Sequence, residues 1–107
     1  MSITFERIRE LIQGGAVRIS EHGYNELSAD GIFAREAVAG ITDAILVEDY
    51  AEYPKGACVL VLEKDSRDMP IHVVWGIPKG HTSPAVLVTA YRPDPELWEE
   101  GFLRRKQ

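Results

Sequence analysis

Through residue 41 the apolar positions recur at helical spacing, and after Thr42 they crowd into short β-branched runs. In "FERIRELIQGG", Phe5, Ile8, Leu11 and Ile12 fall on one helical face, and Gly14 and Gly15 supply a left-handed terminator, predicting a helix over 4–13. "AVRIS" alternates and is short, as a brief strand would be. Ser20 is placed to cap a helix over 21–28 with Tyr24 and Leu27 on one side. Ala34, Ala37, Val38 and Ile41 form a core-facing stripe on a third helix, 34–41.

The runs "AILVEDY", "ACVLVLEKD", "PIHVVWGI" and "PAVLVTAYR" read as strands, with "SRD" and "PKGHTS" short enough to join antiparallel neighbours. Strands are expected over 57–64, 70–77 and 84–92. Turns centred near Arg67 and between Gly80 and His81 would put Val59, Val61, Ile71, Val73, Trp75, Val86 and Val88 on one face, beneath the helices. Leu60, Leu62, Lys64, His72, Val74, Leu87, Thr89 and Tyr91 would then share the opposite, mixed face. In "PDPELWEEGFLRR", Asp94 and Pro95 suit the start of a closing helical turn or two. The expected fold class is α+β: N-terminal helices packed on one face of an antiparallel β-meander.

Composition narrows the function classes. A chain of 107 residues holds one domain with one core. The 45% hydrophobic and 27% charged content is that of a globular protein, not a disordered one. No apolar run approaches the ~20 residues a transmembrane helix needs, and "MSITFERIRELI" is no signal sequence, so a cytoplasmic protein is expected. The lone Cys58, within "CVLVL", reads as a small buried hydrophobe and cannot support a disulfide framework. A net charge of −5 has the wrong sign for general attraction to nucleic acid, and the basic run "RRK" at 104–106 reads as a solvated tail.

Candidate chemistry centres on His22 at a helix start, His72 within a strand and Tyr91 on the next strand. An imidazole at a helix entrance could serve as a base, or could cap or face water. His72 is flanked by core residues, so a ring bonded to backbone or to Thr89 competes with a catalytic one. Lys64 and Arg92 are cations at strand ends, either solvated or poised to meet an anion. The histidines lack the spacing of a zinc site, and "QGGAV" lacks the spacing and lysine of a phosphate loop, so no metal or cofactor is expected.

"ISEHGYNEL", "DGIFAREAVAGI", "PIHVVWGIP" and "VTAYRPDPELW", in that order, resemble a bacterial family described only as a domain of unknown function. Its members read I-S-x-H, a G-I helix start, L-H-V-V and a final T-x-Y-x-P-D-P, over about 17–98 of this chain. His22, His72, Tyr91, Pro93 and Asp94 fall on those motif positions. Members look like small toxins of the RelE and ParE type, and some are encoded beside a protein resembling an antitoxin. The resemblance implies a RelE-like fold, an antitoxin-like partner and a metal-independent toxin-type ribonuclease. In such an enzyme His22 would be the base, His72 or Tyr91 the acid, and Lys64 or Arg92 the cation, with the roles interchangeable. Phe33 departs from the pattern where members carry a Ser or Thr helix cap, and the acidic balance departs from the basic character of such toxins. A non-catalytic interaction module of the same fold, or a small-molecule binding domain using the His72 and Tyr91 face, are the alternatives.

Overall fold

A computed structural model describes residues 2–107. Helix α1 spans Ile3–Gln13, strand β1 Val17–Ile19, helix α2 Glu21–Ala29 and helix α3 Ala34–Ala39, followed by a 3₁₀ turn at Gly40–Asp43. Strands β2 (Ile45–Tyr50), β3 (Cys58–Lys64), β4 (Pro70–Gly76) and β5 (Ala85–Tyr91) complete a five-stranded sheet in the order β1-β5-β4-β3-β2. Every pairing is antiparallel except the edge pair β1 and β5, which run parallel. No helix among the described residues is long and apolar enough to cross a membrane.

One hydrophobic cluster lies between the helices and the inner face of the sheet. Ile8, Leu11 and Ile12 of α1, Leu27 of α2, and Ala37 and Ile41 meet Val59, Val61, Ile71, Val73 and Trp75 there. The apolar periodicities of the helices therefore report burial faithfully, with Tyr24 the exception: it is exposed. Phe33 makes no side-chain cap, and the third helix passes into 3₁₀ geometry after Ala39, short of the expected end at 41.

The β3–β4 hairpin pairs Val61 with Val73, which centres its turn at Arg67 as expected. The β4–β5 register differs. Trp75 pairs with Leu87 while Val74 pairs with Thr89, so Val88 is the extra residue of a bulge. Ala85, Leu87 and Ala90 consequently join the core, and Val86 and Val88 turn to the outer face, the reverse of their expected places. In "AVLVTAY" nearly every position is apolar or small, so alternation carries no information about which residues point inward.

The "SEHG" segment is an anchor for α2. Ser20 Oγ accepts from Gly23 N at 2.9 Å and donates to Leu87 O at 3.0 Å, joining the helix start to β5. A Cβ on Gly23 would lie 2.7 Å from Leu87 O, so glycine permits the close approach. Gly23→Ala is expected to destabilise the fold by about 1–3 kcal/mol through overpacking, despite the better helix propensity of alanine. Urea denaturation of the two proteins checks this; equal stability would show that α2 can shift without cost.

Candidate functional site

His72 occupies the outer face of β4, beneath the segment 93–107, which folds back across the sheet as a strap. The ring is fully buried. Its Nδ1 lies 3.2 Å from the Tyr91 hydroxyl and its Nε2 lies 2.8 Å from Phe102 O. With Nε2 donating to the carbonyl, Nδ1 accepts from Tyr91, so a neutral ring satisfies both partners. Trp98, itself buried, meets the imidazole edge-on with centroids 4.4 Å apart. Burial pushes the His72 pKa down, outweighing the carbonyl bond that favours the charged ring, and burial likewise raises that of Tyr91.

The strap opens with a single helical turn, as expected there, Asp94 O accepting from Leu97 N at 2.9 Å and from Trp98 N at 3.1 Å, and continues in non-helical turns. Asp94 does begin a turn, its Oδ1 accepting from Glu96 N at 2.8 Å, but the chain then doubles back so that Trp98 bridges Arg105. Gly101 (φ 90°) and Phe102 (φ 58°) make the reversal through successive left-handed residues, which is unfavourable for phenylalanine. The Phe102–His72 bond holds it. Arg105 stacks over Trp98 and makes two bonds, 2.9 and 3.0 Å, to the carboxylate of Glu48. That contact keeps the Glu48 pKa below the usual carboxylate range. Tyr50 also donates to Glu48.

His72→Phe is expected to keep the aromatic packing while leaving Phe102 O and the Tyr91 hydroxyl without a partner. Loss of buried hydrogen bonds of about 1–3 kcal/mol corresponds to roughly 5- to 150-fold more strap opening. Trypsin cleavage at Arg104 and Arg105 should accelerate by that factor, with the sheet intact by circular dichroism; unchanged cleavage would show that Trp98 alone seats the strap.

Of the expected catalytic set, the structure brings together His72 and Tyr91 and disperses the rest. His22 is exposed on α2, 3.4 Å from Glu26, on a helix that packs against the other face of the sheet. Lys64 is exposed and lies 3.6 Å from Asp68. Arg92 bonds Asp65 at 2.8 Å and Pro70 O at 3.3 Å, tying β5 to the β3–β4 turn. His22 therefore lies away from His72 and Tyr91, and the hydrogen bonds that satisfy His72 also seal it beneath the strap.

A pocket does open on the same outer face, beyond the strap toward the other end of the strands. Its volume is about 480 Å³. Val74, Gly76, Val86 and Val88 form an apolar floor, Tyr50 and Tyr53 add aromatic walls, and Arg18 and Lys55 supply cations. Gly76 deepens it, since a Cβ there would stand 3.2 Å from that of Cys58. The loop between β2 and β3 is pinned by bonds from Ile77 N to Ala57 O (3.0 Å) and Lys79 N to Lys55 O (3.1 Å). Cys58 also lines the pocket, but burial, with Asp49 nearby, raises its thiol pKa and so disfavours the thiolate. These walls come from residues far apart in sequence. Only Arg18, an outward cation on a short strand, and the closely spaced Tyr50 and Tyr53 hint at them.

Glu63 is a further buried ionisable group, which alternation places inward with Val59 and Val61. It is buried under the helices, its Oε2 accepting from Trp75 Nε1 at 3.1 Å and its Oε1 unpartnered. Burial raises its pKa to about 8.

No curated protein and no solved structure matches the chain. A family model described as "Domain of unknown function (DUF4258)" matches residues 19–92, from the end of β1 to the residue before the strap. That span covers well over half the chain and takes in His22, His72 and Tyr91, and the protein therefore belongs to the DUF4258 family.

Proposed function

We propose that this domain is a small-molecule binding module whose ligand occupies the pocket on the outer sheet face. The observation that carries the reading is the contrast between the two ends of that face. At one end His72 has both nitrogens occupied and no exposure, while at the other a 480 Å³ concavity presents apolar, aromatic and cationic groups together. Ligand sites of about 300–1,000 Å³ with a mainly apolar lining and few polar groups are the usual form of such pockets. A fragment library titrated into the labelled protein tests this by NMR. Shifts clustering at Gly56, Cys58, Gly76 and Val88 are expected; fragments that bind only at scattered surface positions would overturn it.

The toxin-type ribonuclease, masked by an antitoxin-like partner, is the second reading. It is favoured by the solvent-facing His22 with Glu26 beside it, an arrangement suited to a general base. It would need an acid other than the sealed His72, and an encounter with RNA despite the net charge of −5. Wild type, His22→Ala and Tyr91→Phe expressed in parallel decide it, with RNA decay followed in EDTA. Loss of a general base costs typically about 10²–10⁴ in rate. No growth arrest or RNA decay from the wild type, or equal decay from His22→Ala, would remove this reading.

A further inference from the structure

We infer that the pocket's ligand is an organic anion with a flat apolar body, its charge received by Arg18 and Lys55 and its body lying on the valine floor beside Tyr50 and Tyr53. This inference rests on the reading of the concavity as the ligand site and names what that site takes.

Charge complementarity carries it. The chain has 17 acidic against 12 basic residues, and several of its cations find carboxylates or carbonyls. Arg7 meets Glu10, Arg9 donates to Ile41 O and Ala44 O, Arg92 meets Asp65, and Arg105 clamps Glu48. Among the described residues, seven basic side chains have neither an ion-pair partner nor a side-chain hydrogen bond, and of these Arg18 and Lys55 are the two that line this pocket, to which no carboxylate contributes. Two uncompensated cations beside an apolar floor attract an anion more strongly than the same charges in open water, because the floor excludes solvent. Arg18 offers a planar fork that fits carboxylate or phosphate oxygens, and Lys55 a mobile point charge. The body of the ligand is set by the rest of the lining. Valine side chains and a glycine make a smooth floor without hydrogen-bonding groups, and tyrosine rings stack on flat surfaces.

The test titrates 2-naphthoate, 2-naphthyl phosphate and the neutral isostere 2-naphthamide into the labelled full chain at one ionic strength. At least one anion should bind roughly ten-fold or more tightly than the amide, as expected for a charge-assisted hydrogen bond. Arg18→Gln or Lys55→Gln should remove most of that preference. The carboxylate and phosphate arms then separate the two sources of charge. Equal binding of all three compounds at Cys58, Gly76 and Val88 would overturn the anion inference and leave the pocket reading standing. An anion preference that survives both Gln substitutions would overturn the assignment to Arg18 and Lys55. No pocket shift with any compound would overturn the inference and the pocket reading together.

Discussion

Above pH 8, the Glu63→Gln protein is expected to be several kcal/mol more stable than the wild type, and the gap should close as the pH falls toward 5. Burial raises the Glu63 pKa from 4.5 to about 8, so in the folded protein the carboxyl keeps its proton through neutrality. In the unfolded chain it loses that proton near pH 4.5. Between these values the unfolded state binds fewer protons than the folded one, and stability must fall as pH rises, by about 1.4 kcal/mol per pH unit for one group. Above the folded pKa both states are ionised and the loss is complete, on the order of 4–5 kcal/mol. Glutamine retains an oxygen for Trp75 and carries no charge to desolvate, so its contribution is independent of pH. Its amide still has to fit against Gly40, where even a Cβ would lie 2.5 Å from Glu63 Oε1. His72 acts in the opposite sense: its lowered folded pKa means that stability is lost as pH falls through the ordinary histidine value of 6.5. Comparing wild type and variant at each pH cancels that contribution. Urea denaturation at pH 5, 7 and 9 measures the gap, and parallel stability profiles would show that Glu63 ionises as freely in the fold as in the unfolded chain.

The second large effect is expected at Trp75. Its side chain is completely buried at the centre of the inner face, and Trp75→Ala should cost about 3–5 kcal/mol, enough to unfold a marginal domain of this size. Trp75→Phe separates packing from polarity. It retains much of the aromatic volume but withdraws the one hydrogen bond that the Glu63 carboxyl makes among the described residues, leaving both its oxygens unpartnered. In a Glu63→Leu background the same change removes an indole N–H that already lacks a partner, so it should cost about 1–3 kcal/mol less. Chemical denaturation of the four proteins gives this coupling directly. Additive effects would mean that the Trp75–Glu63 bond contributes nothing beyond packing.

The distribution of functional groups has a simple physical origin. The outer sheet face carries apolar side chains toward both ends, and residues 93–107 cover only one half of it. Trp98, Phe102 and Arg105 seal His72 and Tyr91, while the half floored by Val74, Val86 and Val88 stays open. Tyr50 belongs to both halves, lining the pocket and donating to the same Glu48 that Arg105 clamps.

Local patterning sufficed for the α+β class, the three helices, the Ser20 cap, the turn at Arg67 and the inward set from Val59 to Trp75, because 3.6- and 2-residue periods are properties of neighbouring residues. The bulge at Val88 was not legible. A run that is apolar throughout has no alternation, and only the fit of β5 against both β4 and β1 decides which residue is left over. The same limit governs the candidate site. The sequence by itself determined that His72 and Tyr91 lie on adjacent strands, facing away from the helices. Only the tertiary structure decided that a carbonyl 30 residues away closes over that histidine, and that Arg18, Lys55 and two tyrosines gather around an open floor instead. Contacts between distant segments depend on how the chain crosses the sheet, and that path is set by packing summed over the whole molecule, not by the spacing of residues within any one stretch.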